Sequence, residues 1–474
     1  MVIRMKRVAV VGGGITGLAA CLRLLSSDAN VQILLYEASD RLGGRVQTIR
    51  EPDLGITVEA GPDSMLARKP AAMRLIESLG MAEDVVSTRP EATETYIVRD
   101  GGLCPMPKGY LGIPFDPSCV RPPLLTEAGL ARALEEERLP LDLPEDDAAL
   151  GAFLRARLGD EWVNYVGEPL MAGIYAGDID QLSLMATWPL LLDLIRNHGS
   201  LVAASRALMA PSSRRQPGSS RSAFITVRGG LSSVIERMVD RIERSGRVEI
   251  RIGARVGAVT RRGAAYRFHI DTASGERFEE DVDGVVFAIP PQVAREIMSS
   301  VIDLPDVETH YQSTATIVLV YARTAFGPDL ARASGFLVPR PEGMAITATT
   351  WMSSKWPHVA PESLAVIRAY VGRRHQDEAL ALSDDELARR AAEEVGRLTG
   401  AREHPVWLRV TRFSEAMPNY GLGHLARVER AEAALRASCP AMAIAGAGYR
   451  GVGLPDCVEQ GERAADQVLA AIRA

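Results

Sequence analysis

Between Arg7 and Arg45 the chain reads RVAVVGGGITGLAACLRLL, then VQILLYE, then ASDRLGGR. No other stretch narrows the choice of fold as far. An apolar, β-type run from Val8 to Val11 feeds Gly12-x-Gly14-x-x-Gly17, and a helical pattern follows through Leu25. A second apolar run ends on Glu37, twenty positions after Gly17. Strand, glycines, helix, strand and acid in this register form a dinucleotide-binding βαβ unit. Gly12 permits the tight turn. Gly14 lets backbone approach a pyrophosphate, which sits at a helix N-terminus where free N–H groups and the dipole favour an anion. Gly17 allows close packing of helix on strand, and Glu37 can accept from ribose hydroxyls.

Composition sets limits around this unit. At 474 residues the chain has room for two or three domains. A net charge of −6 gives no reason to expect nucleic acid as a partner. The five cysteines (Cys21, Cys104, Cys119, Cys439, Cys457) form no CxxC pair. That pattern argues for a reducing, cytoplasmic compartment and against a disulfide framework or metal site. The first strand begins almost at once, so no signal or transit peptide is expected. No window approaches the roughly 20 apolar residues needed to span a bilayer.

Further along, Pro70 to Leu79 reads as an amphipathic helix ended by Gly80. Two short strands are predicted between Glu94 and Pro107, turning at Asp100-Gly101-Gly102. Residues 105–123 form a proline-rich loop whose Met106, Tyr110, Leu111, Ile113 and Phe115 offer exposed apolar surface. Helical periodicity runs from Thr126 to about Met209, with Glu135, Glu136 and Glu137 on a solvated face. The stretch APSSRRQPGSSRS (210–222) reads as a flexible linker. A helix is predicted from Leu231 to about Arg244. Alternating runs from Val248 to Ile289 then predict a β-meander turning at Ser274-Gly275. More strands are expected at 317–321, 345–350 and 365–371. A helix follows from an N-cap at Ser383 to Leu398, then a strand at 442–444 and a last helix opening at Pro455 and Asp456. That last N-terminus could point its dipole at a flavin ring.

The segments around the βαβ unit resemble a known group. Arg41-Leu42-Gly43-Gly44-Arg45 resembles the second fingerprint of the FAD-binding, amine-oxidase-like superfamily, and Glu59-Ala60-Gly61-Pro62-Asp63-Ser64 follows it. Adding LCPMPKG (103–109), GIYAGDIDQLSLMAT (173–187), WPHVAPE (356–362) and GVGLPDCVEQG (451–461), the chain resembles the bacterial porphyrinogen oxidases over nearly its whole length. Gly173 to Thr187 is the most discriminating run, since amine oxidases and desaturases lack it.

The resemblance implies a mixed α/β (α+β) fold. A Rossmann-like FAD-binding domain would comprise 1–80, 220–295 and 410–474, a substrate-binding sheet domain 81–104 and 300–409, and a helical, membrane-binding-type domain 105–210. It implies non-covalent FAD. The cofactor set carried over is Gly12, Gly13, Gly14, Ile15, Thr16 and Gly17; Glu37 and Ala38; Arg41, Gly44 and Arg45; Gly61, Pro62, Asp63 and Ser64; Val256, through its backbone; and Gly448, Val452, Gly453 and Leu454. Phe413 stands where such enzymes often carry a tryptophan beside the flavin.

The implied activity is an oxidase acting on CH–CH groups with O2 as acceptor. It would take hydride from a porphyrinogen to flavin N5 and release H2O2 in haem biosynthesis. Protoporphyrinogen-type enzymes tend to carry an arginine where this chain has Thr95 or Tyr96, while Lys69 matches a lysine of the coproporphyrinogen type. Coproporphyrinogen III is therefore the expected substrate, with protoporphyrinogen IX as the alternative and an amine after it. No residue declares itself as a catalytic base, and His198, His358 and His424 read as structural or surface residues. Peripheral contact with the inner face of a membrane and a ferrochelatase-type downstream enzyme complete the expectations. A non-catalytic binding protein on the same scaffold would have no need of the RLGGR, GPDS and GVGLPD segments.

Overall fold

Five short strands pair into one parallel sheet, in the order Val248–Ile252, Val31–Glu37, Lys6–Val11, Gly284–Phe287, Met442–Ile444. The computed structural model describes residues 5–27, 30–210, 223–327 and 332–473. The segment read as a linker lies outside the described residues from 211 to 222. The central strands are apolar at nearly every position because both faces are covered. Val8, Val10, Ile33, Leu35 and Val286 face a layer of helices. Ala9, Val11, Leu34, Tyr36, Val285 and Phe287 face the opposite core. Each fully buried Val, Leu or Ile contributes about 1.5–3 kcal/mol.

The helical layer on the first face contains Ile15–Leu25, Leu231–Arg244 and Leu454–Arg473. The first and last of these cross so closely that a Cβ on Gly461 would lie 2.2 Å from the Thr16 carbonyl oxygen. Gly17 is equally constrained, since a Cβ there would lie 1.9 Å from the Gly12 carbonyl oxygen.

On the opposite face lies an antiparallel meander of Ala254–Arg262, Ala265–Thr272 and Arg277–Val282. The sequence pattern had extended this meander to Val248–Ile252 and Gly284–Phe287, but both belong to the parallel sheet. Val248–Ile252 is an edge strand, only partly covered, so its residues alternate as in an antiparallel strand.

A second, seven-stranded sheet has the order Trp407–Asn419, His310–Ala322, Leu364–Val371, Ile346–Trp351, Ala333–Leu337, Glu94–Arg99, Gly102–Pro105. One pair, Ala333–Leu337 with Glu94–Arg99, is parallel. Helix Asp384–Thr399, capped by the Ser383 side chain as predicted, covers its outer face. Its inner face meets residues 49–60 and the helices between 127 and 209.

Two expectations fail in that helical region. Glu136 is fully buried rather than solvated. It accepts from Arg157 Nε at 2.7 Å and from the Leu201 and Val202 amides at 3.0 and 2.9 Å. The start of helix Leu201–Met209 needed acceptors, and the middle glutamate supplies them while its neighbours stay exposed. The loop 105–123 turns its apolar side chains inward. Ile113, Cys119 and Val120 are buried, and Met106, Tyr110 and Phe115 pack against the same core. Among the described residues no helix is long and apolar enough to cross a membrane.

Candidate active site

The first strand is the point where the parallel sheet reverses direction of growth. Its chain runs out to Val31–Glu37 on one side, and Gly284–Phe287 is its neighbour on the other. Ligands of open α/β sheets bind in the crevice beyond the C-terminal ends of such strands. Gly12 (φ +103°) turns there, donating its N–H to the Tyr36 carbonyl at 2.8 Å. A Cβ on Gly12 would lie 2.5 Å from the Ala288 carbonyl oxygen. The first internal bond of helix Ile15–Leu25 runs from Leu18 N to the Gly14 carbonyl at 3.0 Å. No side chain caps this end, so the amides of Ile15, Thr16 and Gly17 are left facing outward.

Glu37 lies at the end of the second strand. Its carboxylate accepts the Gly13 amide at 2.7 Å and the Ser39 amide and hydroxyl at 2.8 Å each. Gly253 N donates to the Ser39 carbonyl at 2.9 Å, which brings the strand carrying buried Val256 beside Glu37 and exposed Ala38. Gly43 N donates to the Gly13 carbonyl at 2.8 Å, so the two glycine loops lie edge to edge. A Cβ on Gly14 would meet nothing nearer than the Gly44 Cα at 4.0 Å. The space above Gly14 is therefore open.

The two fingerprint arginines diverge. Arg41 folds back on its own loop, donating to the carbonyls of Leu42 (3.2 Å), Val46 (3.2 Å) and Gly44 (2.5 Å). Arg45 donates to the Glu415 carbonyl at 3.0 Å, and burial lowers its pKa. It forms no ion pair with a described carboxylate, so it remains a cation available to an anion.

The EAGPDS turn lies across the inner face of the seven-stranded sheet. Arg368 Nη1 donates to the carbonyls of Glu59 and Gly61 at 2.7 Å each, and Thr316 Oγ1 donates to Ala60 O at 2.9 Å. Asp63 pairs with Lys355 at 3.3 Å and Arg368 at 3.5 Å. Burial pushes its carboxyl up, but the two cations overcome this and hold it at about 2. Ser64 donates to Asp63 at 2.7 Å, and Pro62 is half-buried. Glu59 accepts from Leu231 N (2.6 Å) and Thr48 Oγ1 (2.8 Å), and burial raises its pKa to about 7. Phe413 packs on the same side, against a cluster that includes Ile49, Val58 and Ala60. Sequence reading missed Arg368, Lys355 and Thr316. The available signal was an arginine inside the apolar run LAVIRAYV.

The segment Gly448–Leu454 closes the other side. Tyr420 OH donates to the Ala447 carbonyl and accepts Gly451 N at 3.0 Å. Val452 packs on the core of the helices between 127 and 209, and Gly453 lies against Asp456 in the first turn of the last helix. Lys69 Nζ donates to both carboxylate oxygens of Asp456. The Gly173–Thr187 segment docks on the same corner. Asn419 Nδ2 donates to Tyr175 O at 2.8 Å, Ser183 N to Tyr420 O at 2.8 Å, and the Tyr175 and Tyr420 rings lie 5.9 Å apart.

Thr95 and Tyr96 are separated by strand alternation. Thr95 falls in one cross-strand row with Gly335, Thr350 and Arg368, on the inner face. Tyr96 points to the outer face, its ring 6.2 Å from that of Trp351. Among the histidines, His198 is exposed. His424 is fully buried, stacked on Tyr420 at 4.1 Å with Nε2 bonded to Tyr449 O at 2.7 Å. Burial lowers the pKa of both His358 and His424 to about 4.

An uncapped helix N-terminus, a side-chain-free glycine cradle, an acid at the second strand and an unpaired arginine fit a dinucleotide. The fold and site define a dinucleotide-binding flavoprotein of the α/β type. The chain belongs to the flavin containing amine oxidoreductase family, whose model matches residues 15–469, and its cofactor is FAD. It is 33% identical to a coproporphyrinogen III oxidase of Bacillus subtilis, over 98% of each chain. It is 32% identical to one of Staphylococcus aureus, over 98% of this chain and 99% of that one. A crystal structure of a candidate protoporphyrinogen oxidase from Exiguobacterium sp. 255-15 superposes with a TM-score of 0.86, at 35% identity, over 98% of this chain and 99% of the other.

Proposed function

We propose that this chain is an FAD-dependent oxidase that converts coproporphyrinogen III to coproporphyrin III with O2. One observation carries the reading beyond the family. The run that separates porphyrinogen oxidases from amine oxidases in sequence, Gly173–Thr187, is docked through Tyr175 and Ser183 onto Tyr420, which itself holds Ala447 and Gly451. The full-length relatives named coproporphyrinogen III oxidase support the same substrate.

When bound, FAD supplies the two-electron acceptor and passes the electrons to O2, which leaves as H2O2. The amides of Ile15 to Gly17 and Arg45 would hold its pyrophosphate, and Glu37 its ribose. Arg368, Thr316 and Asp63 fix the course of the EAGPDS turn. Val256 would hold the adenine by its backbone, and Phe413, Gly448, Val452, Gly453 and Leu454 would border the ring end.

Thr95 puts no cation on the inner face, which supports a substrate other than protoporphyrinogen. Arg68 and Lys69 are the propionate-binding candidates, although Lys69 is already engaged by Asp456. A second reading, protoporphyrinogen IX, is favoured by the description given to the Exiguobacterium structure. On the first reading the product passes to a ferrochelatase-type enzyme. The 105–123 loop faces inward and leaves no large apolar side chain of its own exposed for peripheral membrane contact. Leu141, Ile174, Leu208 and Met209 are the large apolar side chains exposed among the described residues between 127 and 209.

The test is side-by-side turnover of coproporphyrinogen III and protoporphyrinogen IX, following porphyrin fluorescence and H2O2. A kcat/KM at least tenfold higher for coproporphyrinogen is expected from one extra charged pair. Preference for protoporphyrinogen, or oxidation of aliphatic amines instead, would overturn the reading.

A further inference from the structure

The pairing of Lys69 with Asp456 assigns the lysine a different task from substrate anchoring. Asp456 stands in the first turn of helix Leu454–Arg473 and packs against Gly451 and Gly453, where a Cβ would lie 2.8 and 2.7 Å from its side-chain atoms. Tyr175, from the segment docked over this corner, senses the Asp456 charge. The carboxylate therefore sits where the last helix, the Gly173–Thr187 segment and the Gly448–Leu454 segment meet. The N-terminus of this 20-residue helix carries partial positive charge toward that corner. A carboxylate in its first turn cancels that field. Lys69, at the N-cap of helix Pro70–Ser78, brings its ammonium onto both carboxylate oxygens.

We propose that Lys69 is a positioning residue for redox poise. It neutralises Asp456, so that the helix end can stabilise the negative charge the flavin acquires on reduction. The inference rests on the placement of the flavin ring at Gly448–Leu454, and not on which porphyrinogen is oxidised. Of the groups beside this pair, Tyr175 is neutral because burial raises its pKa, and Cys457 is a buried thiol with its pKa raised to about 12.

The test uses holoenzyme without any porphyrinogen. The flavin midpoint potential is measured by dye equilibration, and sulfite affinity is read from bleaching of the flavin band. Lys69→Met should weaken sulfite binding about tenfold and lower the potential by about 30 mV, the two-electron equivalent of tenfold. Asp456→Asn should shift both quantities the opposite way. The double variant should return near the wild-type values, and Lys69→Arg should retain them. Unchanged potentials in both single variants, or shifts of the same sign in both, would overturn the proposal. So would a Lys69→Met enzyme of unaltered potential that lost only affinity for porphyrinogen. Failure of the substrate assignment would leave these potentials untouched.

Discussion

Arg368 and Gly61 are joined by a 2.7 Å hydrogen bond across 307 positions of sequence. The same nitrogen also holds the Glu59 carbonyl, and the guanidinium reaches Asp63 and the Tyr370 hydroxyl. This one side chain ties the seven-stranded sheet to the EAGPDS turn. At 2% exposure it has no water to replace those partners. Arg368→Met should destabilise the protein by about 3–5 kcal/mol, because Asp63 and two carbonyls lose their shared donor. Urea midpoints with excess FAD would measure this. Arg368→Lys should rescue little, since an ammonium cannot reproduce the fork.

Gly14 and Gly17 should fail in different ways. No atom crowds Gly14, so Gly14→Val should fold yet purify without FAD, its side chain filling the open space above the helix end. Gly17→Val would drive its Cβ into the Gly12 carbonyl and should lower stability in the apoprotein as well. Circular dichroism melts and flavin content separate the two. A Gly14→Val protein purified fully loaded would move the pyrophosphate elsewhere.

The three consecutive glutamates should prove unequal. Glu136→Ala leaves buried Arg157 and two amides without their acceptor and should cost about 3–5 kcal/mol. Glu137, paired with Arg206 at the surface, should cost about 0–1 kcal/mol. Chemical denaturation of both alanine variants would check the contrast.

Acid should destabilise the fold through its buried imidazoles. His424 titrates near 6.5 when unfolded but is held at about 4 by burial. Between those values the unfolded chain binds more protons, so stability falls as pH drops through the window. Glu59, raised to about 7, acts in the opposite sense, stabilising as pH falls from about 7 to 4.5. The informative comparison is therefore between variant and wild type. His424→Phe keeps a ring on Tyr420 and should reduce the loss between pH 6.5 and 5 by about 2 kcal/mol. Equal pH slopes for the two proteins would refute this.

The flavin should be held without a covalent bond. Cys457, the thiol nearest the Gly448–Leu454 segment in sequence, is buried, and its pKa is pushed up to about 12. A neutral thiol is a poor nucleophile. Acid precipitation should leave all the flavin in the supernatant, and yellow pellets would contradict this.

Local periodicity and short spacings made the nucleotide unit legible. The strand–glycine–helix register at 8–25, the acid at 37, the Ser383 cap and the strand pair at 94–105 all follow from neighbours within about one turn or one pleat. What could not be read depended on partners far away in the chain. Nothing near Glu136 announced Arg157 or the helix start at Leu201. Nothing near Arg368 announced Gly61. Alternation placed Thr95 and Tyr96 on opposite faces, but which of them faced inward was decided by the order of strands. Val248–Ile252 misled for a related reason, since a half-covered edge alternates whichever way its neighbour runs.

The contact between Thr16 and Gly461 has a consequence for synthesis of the protein. The glycine loop emerges from the ribosome early, yet the helix that braces it comes with the last residues of the fold. Strand Met442–Ile444 is equally late. A nascent chain thus carries an unbraced nucleotide loop through most of its translation. A chain stopped before about residue 440 would hold every glycine of the fingerprint and lack the helix that packs against Thr16.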